Sequence, residues 1–139
     1  MTDQQTFNRQ LIEDFRASRA ASDGRFAHRP LVLLTTTGAK TGLTRTTPMM
    51  YVRDGDRLLV IASNAGAERG PDWYRNLVAH PDVTVEVGAE TYLATAIVLA
   101  GTERAQKWEE IVAARAFFAD HQAKITREIP IVALQRRAN

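Results

Sequence analysis

The segment from Leu31 to Leu77 constrains the fold of this chain most, because three strand-like runs follow one another there with short turns between them. Gly38 and Gly42 bound the first turn, and Asp54-Gly55-Asp56 forms the second, a composition typical of hairpins. Strands joined by such short turns pair antiparallel, so the segment predicts consecutive hairpins. The predicted strands are Leu31–Thr37, Thr44–Arg53 and Arg57–Ser63.

The rest of the chain adds three strand-like segments and no β-α-β repeat. Apolar and polar residues alternate through Val83–Val87, the pattern of a half-buried strand. Pro48 lacks a backbone N–H, which places its strand at an edge or at a bulge. The chain therefore predicts a mainly β (α+β) fold, a small antiparallel barrel of about six strands with peripheral helices, as one domain over residues 1–139. The last two strands are Thr91–Ala100 and Ile131–Leu134.

Helical patterns precede, interrupt and follow these strands. Asp3–Ala21 is predicted to be a helix packed on the body of the protein or, as the alternative, lying on a membrane surface, because it carries an apolar stripe. A short helix is predicted from Asp72 to about His80, where Pro81 ends it. The C-terminal helical region is predicted to start at the N-cap Thr102, to pause near Phe118, to continue to Arg127 and to be broken by Pro130. The apolar stripe consists of Phe7, Leu11, Ile12 and Phe15.

The distribution of charge points to an anionic ligand. The net charge is only +2, yet residues 24–53 contain five basic side chains and no acidic one. The basic residues are too sparse for a nucleic-acid-binding stripe, there is no cysteine for a disulfide or a thiolate, and the three histidines are too far apart for a zinc motif. The apolar runs are too short to span a membrane and the first residues do not resemble a signal peptide, which predicts a cytoplasmic protein.

The glycine-flanked turn has the chemistry of an anion site. Gly38 and Gly42 let the backbone approach a ligand, and Lys40 and Arg45 are cations suited to phosphate or carboxylate. The arrangement differs from a P-loop, since the lysine precedes the second glycine and no helix follows. A solvated turn without a ligand is the competing interpretation.

A short predicted helix supplies the second candidate site. Trp73 and Leu77 are four residues apart and share a helix face, which predicts core packing. Tyr74 and Asn76 point elsewhere and are candidates for ligand contact. The N–H groups at the start of this helix are suited to an acceptor-rich ring or a phosphate, and they follow the loop Ala62-Ser63-Asn64-Ala65-Gly66.

The sequence shows no Ser-His-Asp arrangement, no paired carboxylates and no reactive cysteine, so an enzyme with this sequence needs a cofactor to carry its chemistry. Four motifs between residues 30 and 134 resemble the deazaflavin (F420)-dependent nitroreductase family. The resemblance implies a split β-barrel like those that bind FMN, reduced coenzyme F420 as the hydride donor, and quinones or nitro compounds as acceptors. The motifs are Thr35-Thr-Thr-Gly38-Ala-Lys40-Thr-Gly42-x-x-Arg45-x-x-Pro48, Val60-Ile-Ala62-Ser63-Asn-Ala-Gly66, Pro71-x-Trp73-Tyr74-x-Asn76-Leu77-x-Ala79-x-Pro81 and Arg127-x-Ile129-Pro130-Ile131-Val132.

The resemblance also implies a set of cofactor-binding residues. Lys40 and Arg45 would hold the phosphate and the polyglutamate tail, with hydroxyl and backbone contacts from Thr41 and Gly42. The tail channel, the ribityl chain and the deazaflavin ring would be lined by Pro48, Met49, Met50, Ala62, Ser63, Asn64, Ala65, Gly66, Trp73 and Asn76.

The sequence departs from the best-known nitro-activating member, whose substrate pocket carries tyrosines. The matching positions hold other residues here, which argues against reduction of nitro prodrugs and leaves cofactor binding untouched. His121 is a candidate proton donor in place of a tyrosine, with Tyr74 as the second catalytic candidate, and a surface histidine is the competing interpretation. The positions in question are Met50, Arg115, Phe118 and His121.

Two alternatives stay open on sequence grounds. The barrel could bind FMN, as the related pyridoxamine-phosphate-oxidase-like barrels do, or the protein could bind F420 or a lipid without catalysis. The predicted partners are a quinone-like acceptor and a second copy of the chain, since related split barrels are often dimers. Peripheral membrane contact through the N-terminal helix is a further prediction, and nucleic acid is not predicted as a partner.

Overall fold

The computed structural model describes residues 3–20 and 31–137, and within them it contains a seven-stranded antiparallel sheet and four α-helices. The end of the first helix predicted at Ala21, and the basic residues Arg25 and Arg29, lie outside the described residues. The strands are β1 Leu31–Thr37, β2 Thr44–Met50, β3 Val52–Asp54, β4 Arg57–Ile61, β5 Asp82–Val87, β6 Glu90–Val98 and β7 Ile131–Arg136. The helices are α1 Asp3–Ala20, α2 Asp72–Ala79, α3 Gly101–Ala114 and α4 Phe117–Ala123, with a 3₁₀ turn at Asn64–Gly66.

The sheet is curled, and the connection at Tyr51 shows why. The strand order is β2-β1-β5-β6-β7-β4-β3, so β2 and β3 are the two edges, yet Tyr51 alone separates them in the chain. The edges of a flat seven-stranded sheet would be roughly 29 Å apart, whereas one intervening residue spans about 7 Å. The sheet must therefore curl into a half-open barrel, which confirms the predicted split-barrel fold and places Pro48 on an edge strand. The predicted strand Thr44–Arg53 is in fact two strands, hence seven rather than about six.

Two apolar clusters lie on opposite faces of this curled sheet. Side chains alternate along each strand, so Leu58 and Val60 face the barrel interior, while Leu59 faces outward. α2 closes the interior with Trp73 and Leu77, as their spacing predicted. The outer cluster is covered by α3 and α4 and consists of Leu59, Leu99, Ile111, Phe118, Ile131 and Ala133.

α1 packs on the outer face of β1 through most of its apolar stripe. Phe15 is buried against Leu33, and Leu11 and Ile12 pack beside them. Phe7 is 62% exposed, so one residue of the predicted stripe remains available to a membrane surface. The packed position of α1 agrees with the first of its two predicted roles, and membrane contact stays a prediction without support. Within the described residues, no helix is both long and apolar enough to cross a membrane.

The C-terminal helical region differs from the sequence prediction in four respects. α3 begins at Gly101 after an N-cap at Ala100, so the predicted N-cap Thr102 is wrong. The helix breaks at Arg115, whose extended φ of −140° turns Phe118 into the outer cluster. α4 ends at Ala123, well before Arg127. Pro130 does not break a helix. Its carbonyl accepts a hydrogen bond from the backbone N–H of Ala62, which starts the pairing of β4 with β7.

An ion-pair network fastens α3 to the β3–β4 hairpin, and it makes stability dependent on pH. Lys107 Nζ lies 2.9 Å from one oxygen of Asp54 and Arg57 Nε lies 2.8 Å from the other, and these hydrogen bonds lower the pKa of Asp54 below its ordinary value of 3.8. A lowered native pKa stabilises the fold above the unfolded pKa, and this contribution is lost as pH falls through the native pKa.

Asp54→Asn is expected to reduce the free energy of unfolding at neutral pH by about 1 kcal/mol, since it removes both charged contacts at a side chain that is 23% exposed. The difference from wild type should shrink as pH falls below the ordinary 3.8 of this carboxyl group and vanish only below its lowered native pKa, where both states bind the proton. Urea unfolding at several pH values measures this, with Asp56→Asn in the same turn as the matched control. A pH-independent loss would contradict the assignment.

Candidate active site

A cleft runs between α1, β2 and the start of α2. It consists of two adjoining cavities of about 570 Å³ each, which share Asn8, Thr47, Asp72 and Trp73. The first, called the basic cavity, is also lined by Gln5, Arg9, Ile12, Glu13, Arg16, Arg45, Thr46 and Asn76. The second, called the loop cavity, is also lined by Gln4, Pro48, Asn64, Ala65, Arg69, Gly70 and Pro71. The cleft thus brings together predicted site residues from β2, from the loop after β4 and from α2.

The glycine turn that joins β1 to β2 is held to α2 by Asn76. Asn76 Oδ1 accepts a hydrogen bond of 3.0 Å from the backbone N–H of Ala39, and its Nδ2 donates to Thr36 Oγ1 at 3.3 Å. Gly42 adopts a φ of +73°, which glycine tolerates at no steric cost. The Asn76 side chain is buried and lines the basic cavity, so the sequence prediction is right about its proximity to the cleft. Its side-chain hydrogen bonds to Ala39 and Thr36 are contacts within the protein.

The cations of this turn are exposed. Lys40 and Arg45 form no ion pair with any residue in the described ranges, and Arg45 lines the basic cavity. Lys40 lies at the tip of the turn, and Thr41 Oγ1 accepts a 3.2 Å hydrogen bond from the N–H of Leu43. An exposed, unpaired cation keeps its charge available to a ligand, and Arg45 in particular has a cavity into which a ligand could enter.

The loop after β4 has a strained backbone at the cleft. Asn64, Ala65 and Gly66 have φ values of 48°, 55° and 84°, so two residues with side chains occupy the left-handed region. Such residues cost about 1–3 kcal/mol each and persist where the surroundings hold them. A side chain at position 66 would meet the backbone of α4 at His121, 3.4 Å away. The predicted residues Ala62 and Ser63 are buried just before this loop.

Arg127 holds this loop in place. Its guanidinium donates hydrogen bonds to the carbonyl oxygens of Ala62 at 3.0 Å, Ser63 at 2.9 Å and Ala67 at 3.0 Å. Next to it, Thr126 donates from its N–H and its hydroxyl to the two carboxylate oxygens of Glu68, at 2.8 and 3.0 Å. The segment between α4 and β7 therefore fixes the conformation of a wall of the cleft.

The apolar wall of the cleft comes from α2 and β2. Trp73 is 9% exposed and lines both cavities, so it serves the barrel core and the cleft together. Pro48 lines the loop cavity, while Met49 packs against the barrel core. Met50 is 40% exposed at the end of β2. A planar ring would find its apolar surface at Trp73 and Pro48.

The two predicted catalytic residues occupy different surroundings. His121 Nδ1 lies 3.2 Å from Ser63 Oγ, and its ring meets Phe117 and Phe118 edge-on with centroids 5.5 and 5.9 Å away. Tyr74 is half-buried against the barrel core. Neither side chain lines the two cavities formed by the described residues. Of the two, His121 is the one that contacts the loop, and the catalytic role of both stays a prediction.

Two contributors to the cleft are absent from the sequence prediction. The polar face of α1 lines the cleft, and its signal is the helical spacing of Gln5, Asn8, Arg9, Glu13 and Arg16, which places them on one stripe beside Ile12 of the apolar stripe. Arg127 had no local signal for its contact with Ala62, because 64 residues separate the two in the chain. Arg127 stands in a predicted motif, yet only the folded chain shows what it contacts.

The fold and the cleft define the class of protein, a split barrel that presents an apolar wall and unpaired cations in one elongated cleft. The family model described as F420H(2)-dependent quinone reductase matches residues 7–136. The F420H(2)-dependent quinone reductase Rv1261c of Mycobacterium tuberculosis (strain ATCC 25618 / H37Rv) is 39% identical over 136 residues, which cover 92% of this chain and 91% of that protein.

Solved structures agree with this similarity. An F420-H2 dependent reductase (FDR-A) is 39% identical with a TM-score of 0.70, covering 77% of this chain and 95% of its own. A protein described as a domain-swapped dimer is 34% identical with a TM-score of 0.73, covering 91% and 96%. The chain belongs to the F420H(2)-dependent quinone reductase family, is an oxidoreductase and uses coenzyme F420. The resemblance noted in the sequence is confirmed.

The residues of the cleft fit this cofactor. Its phosphate and carboxylates need cations that are not already paired, and Arg45 and Lys40 are such cations among the described residues. Its planar ring needs an apolar surface, which Trp73 and Pro48 provide. Each cavity lies within the range of about 300–1,000 Å³ that ligand sites occupy.

Proposed function

We propose that the electron acceptor of this oxidoreductase is a quinone and that the cleft between α1, β2 and α2 is where the cofactor lies. The observation that carries the proposal is the continuity of the basic cavity with the loop cavity through Trp73. An elongated ligand with an anionic tail and a planar ring matches that arrangement. When bound, F420H2 supplies the hydride, and the protein supplies binding, orientation and electrostatics.

Each part of the cleft has a role in this proposal. Arg45 binds the anionic tail at the basic cavity and Lys40 from the tip of the adjoining turn, with Thr41 and Gly42 shaping that turn. Trp73 and the proline of β2 hold the ring against an apolar wall. The strained loop sets the distance at which an acceptor approaches, and water is excluded by the same apolar surfaces. Of the other positions that the resemblance implies, Asn64, Ala65 and Asn76 line the cavities, and those outside the cavity linings are Met49, Met50, Ala62, Ser63 and Gly66.

Reduction of a quinone to a hydroquinone needs a proton in addition to the hydride. His121 is the titratable side chain that contacts the loop, through Ser63, and we assign it the role of proton donor in preference to Tyr74. An imidazole suits this role, because it releases and takes up a proton near neutral pH.

We expect the purified protein to oxidise F420H2 when menadione is added, followed as the return of the absorbance of oxidised F420. A panel of benzoquinones and naphthoquinones tests the acceptor class, and a nitroaromatic compound serves as the comparison. Binding of F420 without turnover of any quinone would contradict the proposed acceptor and favour a protein that only sequesters the cofactor. Calorimetric titration of F420 separates these outcomes, since it measures binding without chemistry.

The homodimer predicted from the sequence also belongs to the proposal. A relative of known structure is described as a domain-swapped dimer. In this chain the outer face of β6 leaves Leu93 57% exposed, with Ile97 exposed on the same face. Apolar side chains exposed together on one strand favour burial against a second copy.

A further inference from the structure

We propose that the polar face of α1 is part of the cofactor site, with Arg9 binding the anionic tail of F420 together with Arg45. The inference rests on the proposed location of the cofactor and adds a residue that neither the motifs nor the comparisons assign. It gives α1 a role in binding in addition to its packing on β1.

The first support is the position of the helix stripe. Residues 5, 8, 9, 12, 13 and 16 recur at helical spacing, and all six line the basic cavity. The other side of this cavity is formed by β2 at Arg45, Thr46 and Thr47, and its end by α2 at Trp73 and Asn76. α1 therefore forms one wall of the basic cavity, opposite the strand that carries Arg45.

The second support is the attachment of α1 to the sheet. Arg16 donates from Nε and Nη2 to the two carboxylate oxygens of Glu86 at 3.1 and 2.7 Å, and Glu86 on β5 is 8% exposed. Phe15 beside it is 2% exposed against Leu33. A buried carboxylate requires a partner, so this bidentate pair fixes the helix on the barrel. Arg9 lies two turns away, about 10 Å along the helix axis.

The third support is the distribution of charge in the basic cavity. Arg16 is bound to Glu86, and Asp72 is bound to Arg75, so these charges are already neutralised. Arg9 and Arg45 form no ion pair within the described part of the chain, and both line the cavity. Two unpaired guanidinium groups on facing walls attract an anion between them. Glu13 lines the same cavity and opposes this attraction.

The experiment compares two ligands, one with and one without the anionic tail. F420 carries the phosphate and the acidic tail, whereas the deazaflavin riboside carries the ring and the ribityl chain alone. We expect Arg9→Gln to weaken binding of F420 about tenfold and to leave binding of the riboside unchanged. Glu13→Gln should act in the opposite direction and strengthen F420 binding roughly threefold. Fluorescence titration of the deazaflavin measures the affinity of each protein for each ligand without catalysis.

Arg53→Gln is the matched control, because Arg53 is exposed on β3, lies outside both cavities and carries the same charge. If Arg9→Gln binds F420 as tightly as Arg53→Gln does, the proposal is overturned. It is also overturned if Arg9→Gln loses affinity for F420 and for the riboside equally, because that would indicate an effect on packing and not on the anionic tail. Thermal unfolding of each variant establishes that the fold is retained. If Arg45→Ala leaves F420 affinity unchanged as well, the proposed location of the cofactor fails first, and the role of α1 fails with it.

Discussion

Replacing Arg127 by methionine is expected to lower the affinity for F420 at least about tenfold while the protein remains folded. The guanidinium donates to the carbonyl oxygens of Ala62, Ser63 and Ala67, and methionine donates to none of them. The Ser63 carbonyl keeps a hydrogen bond from the N–H of Gly66, but a carbonyl oxygen left without a donor, as at Ala62 and Ala67, costs about 1–3 kcal/mol. This loss falls on a loop that already stores left-handed strain at Asn64 and Ala65. The loop should therefore relax away from the conformation that shapes the cleft.

The loss of affinity can be separated from a loss of stability. A decrease of about 2 kcal/mol in the free energy of unfolding leaves a domain of ordinary stability almost entirely folded, so it does not by itself account for a tenfold change in affinity. Calorimetric titration of F420 and denaturant unfolding of the same variant measure the two quantities. Arg127→Lys should fall between wild type and the methionine variant, because an ammonium group keeps the charge and loses the planar fork.

The control for Arg127 is an arginine with a peripheral contact. Arg137 lies 3.7 Å from Asp82 and is 48% exposed, so Arg137→Met makes the same chemical change away from the cleft. We expect it to leave F420 affinity unchanged and to alter stability by less than about 0.5 kcal/mol. A lower unfolding energy for Arg127→Met with wild-type affinity would show that Arg127 serves stability alone.

Local patterns predicted the hairpins of this fold but not the closure of its sheet. The turns at Gly42, Gly55 and Gly88 have positive φ, so the residue that the turn requires is visible in the sequence. The break at Tyr51 was not visible, because the residues around it read as one continuous strand. Pairing of β7 with β4 and β6 brings together residues far apart in the chain, and no local propensity encodes that order.

In the cleft, too, the features encoded by neighbouring residues were predictable and the contacts between distant segments were not. The turn with Lys40 and the helix with Trp73 could be proposed from composition and spacing, since each carries its chemistry within a few residues. The wall formed by α1 could not, because the helix offers an apolar stripe and a polar stripe and the sequence does not say what the polar stripe faces. Arg127 was visible only as a motif position, since its partners lie on a distant loop.

Lys40 and Arg45 carry the second large expected effect. Arg45→Ala should weaken F420 binding by roughly ten- to a hundredfold, because a hydrogen bond to a charged group contributes about 1.5–3 kcal/mol. Lys40→Ala should act in the same direction and less strongly, since Arg45 lines the basic cavity and Lys40 stands at the tip of the turn. Both changes should leave folding intact, because the bonds of Asn76 to Ala39 and Thr36 hold the turn.

The effect should appear in affinity rather than in the maximal rate, because the tail is remote from the atoms that exchange the hydride. High salt should weaken binding by the wild type and have less influence on the double variant, since screening acts on the charges that the substitutions remove. Calorimetric titration of wild type, both single variants and the double variant also measures the coupling between the two cations. Unchanged affinity in both single variants would show that this turn is a solvated hairpin tip and that the tail of F420 binds elsewhere.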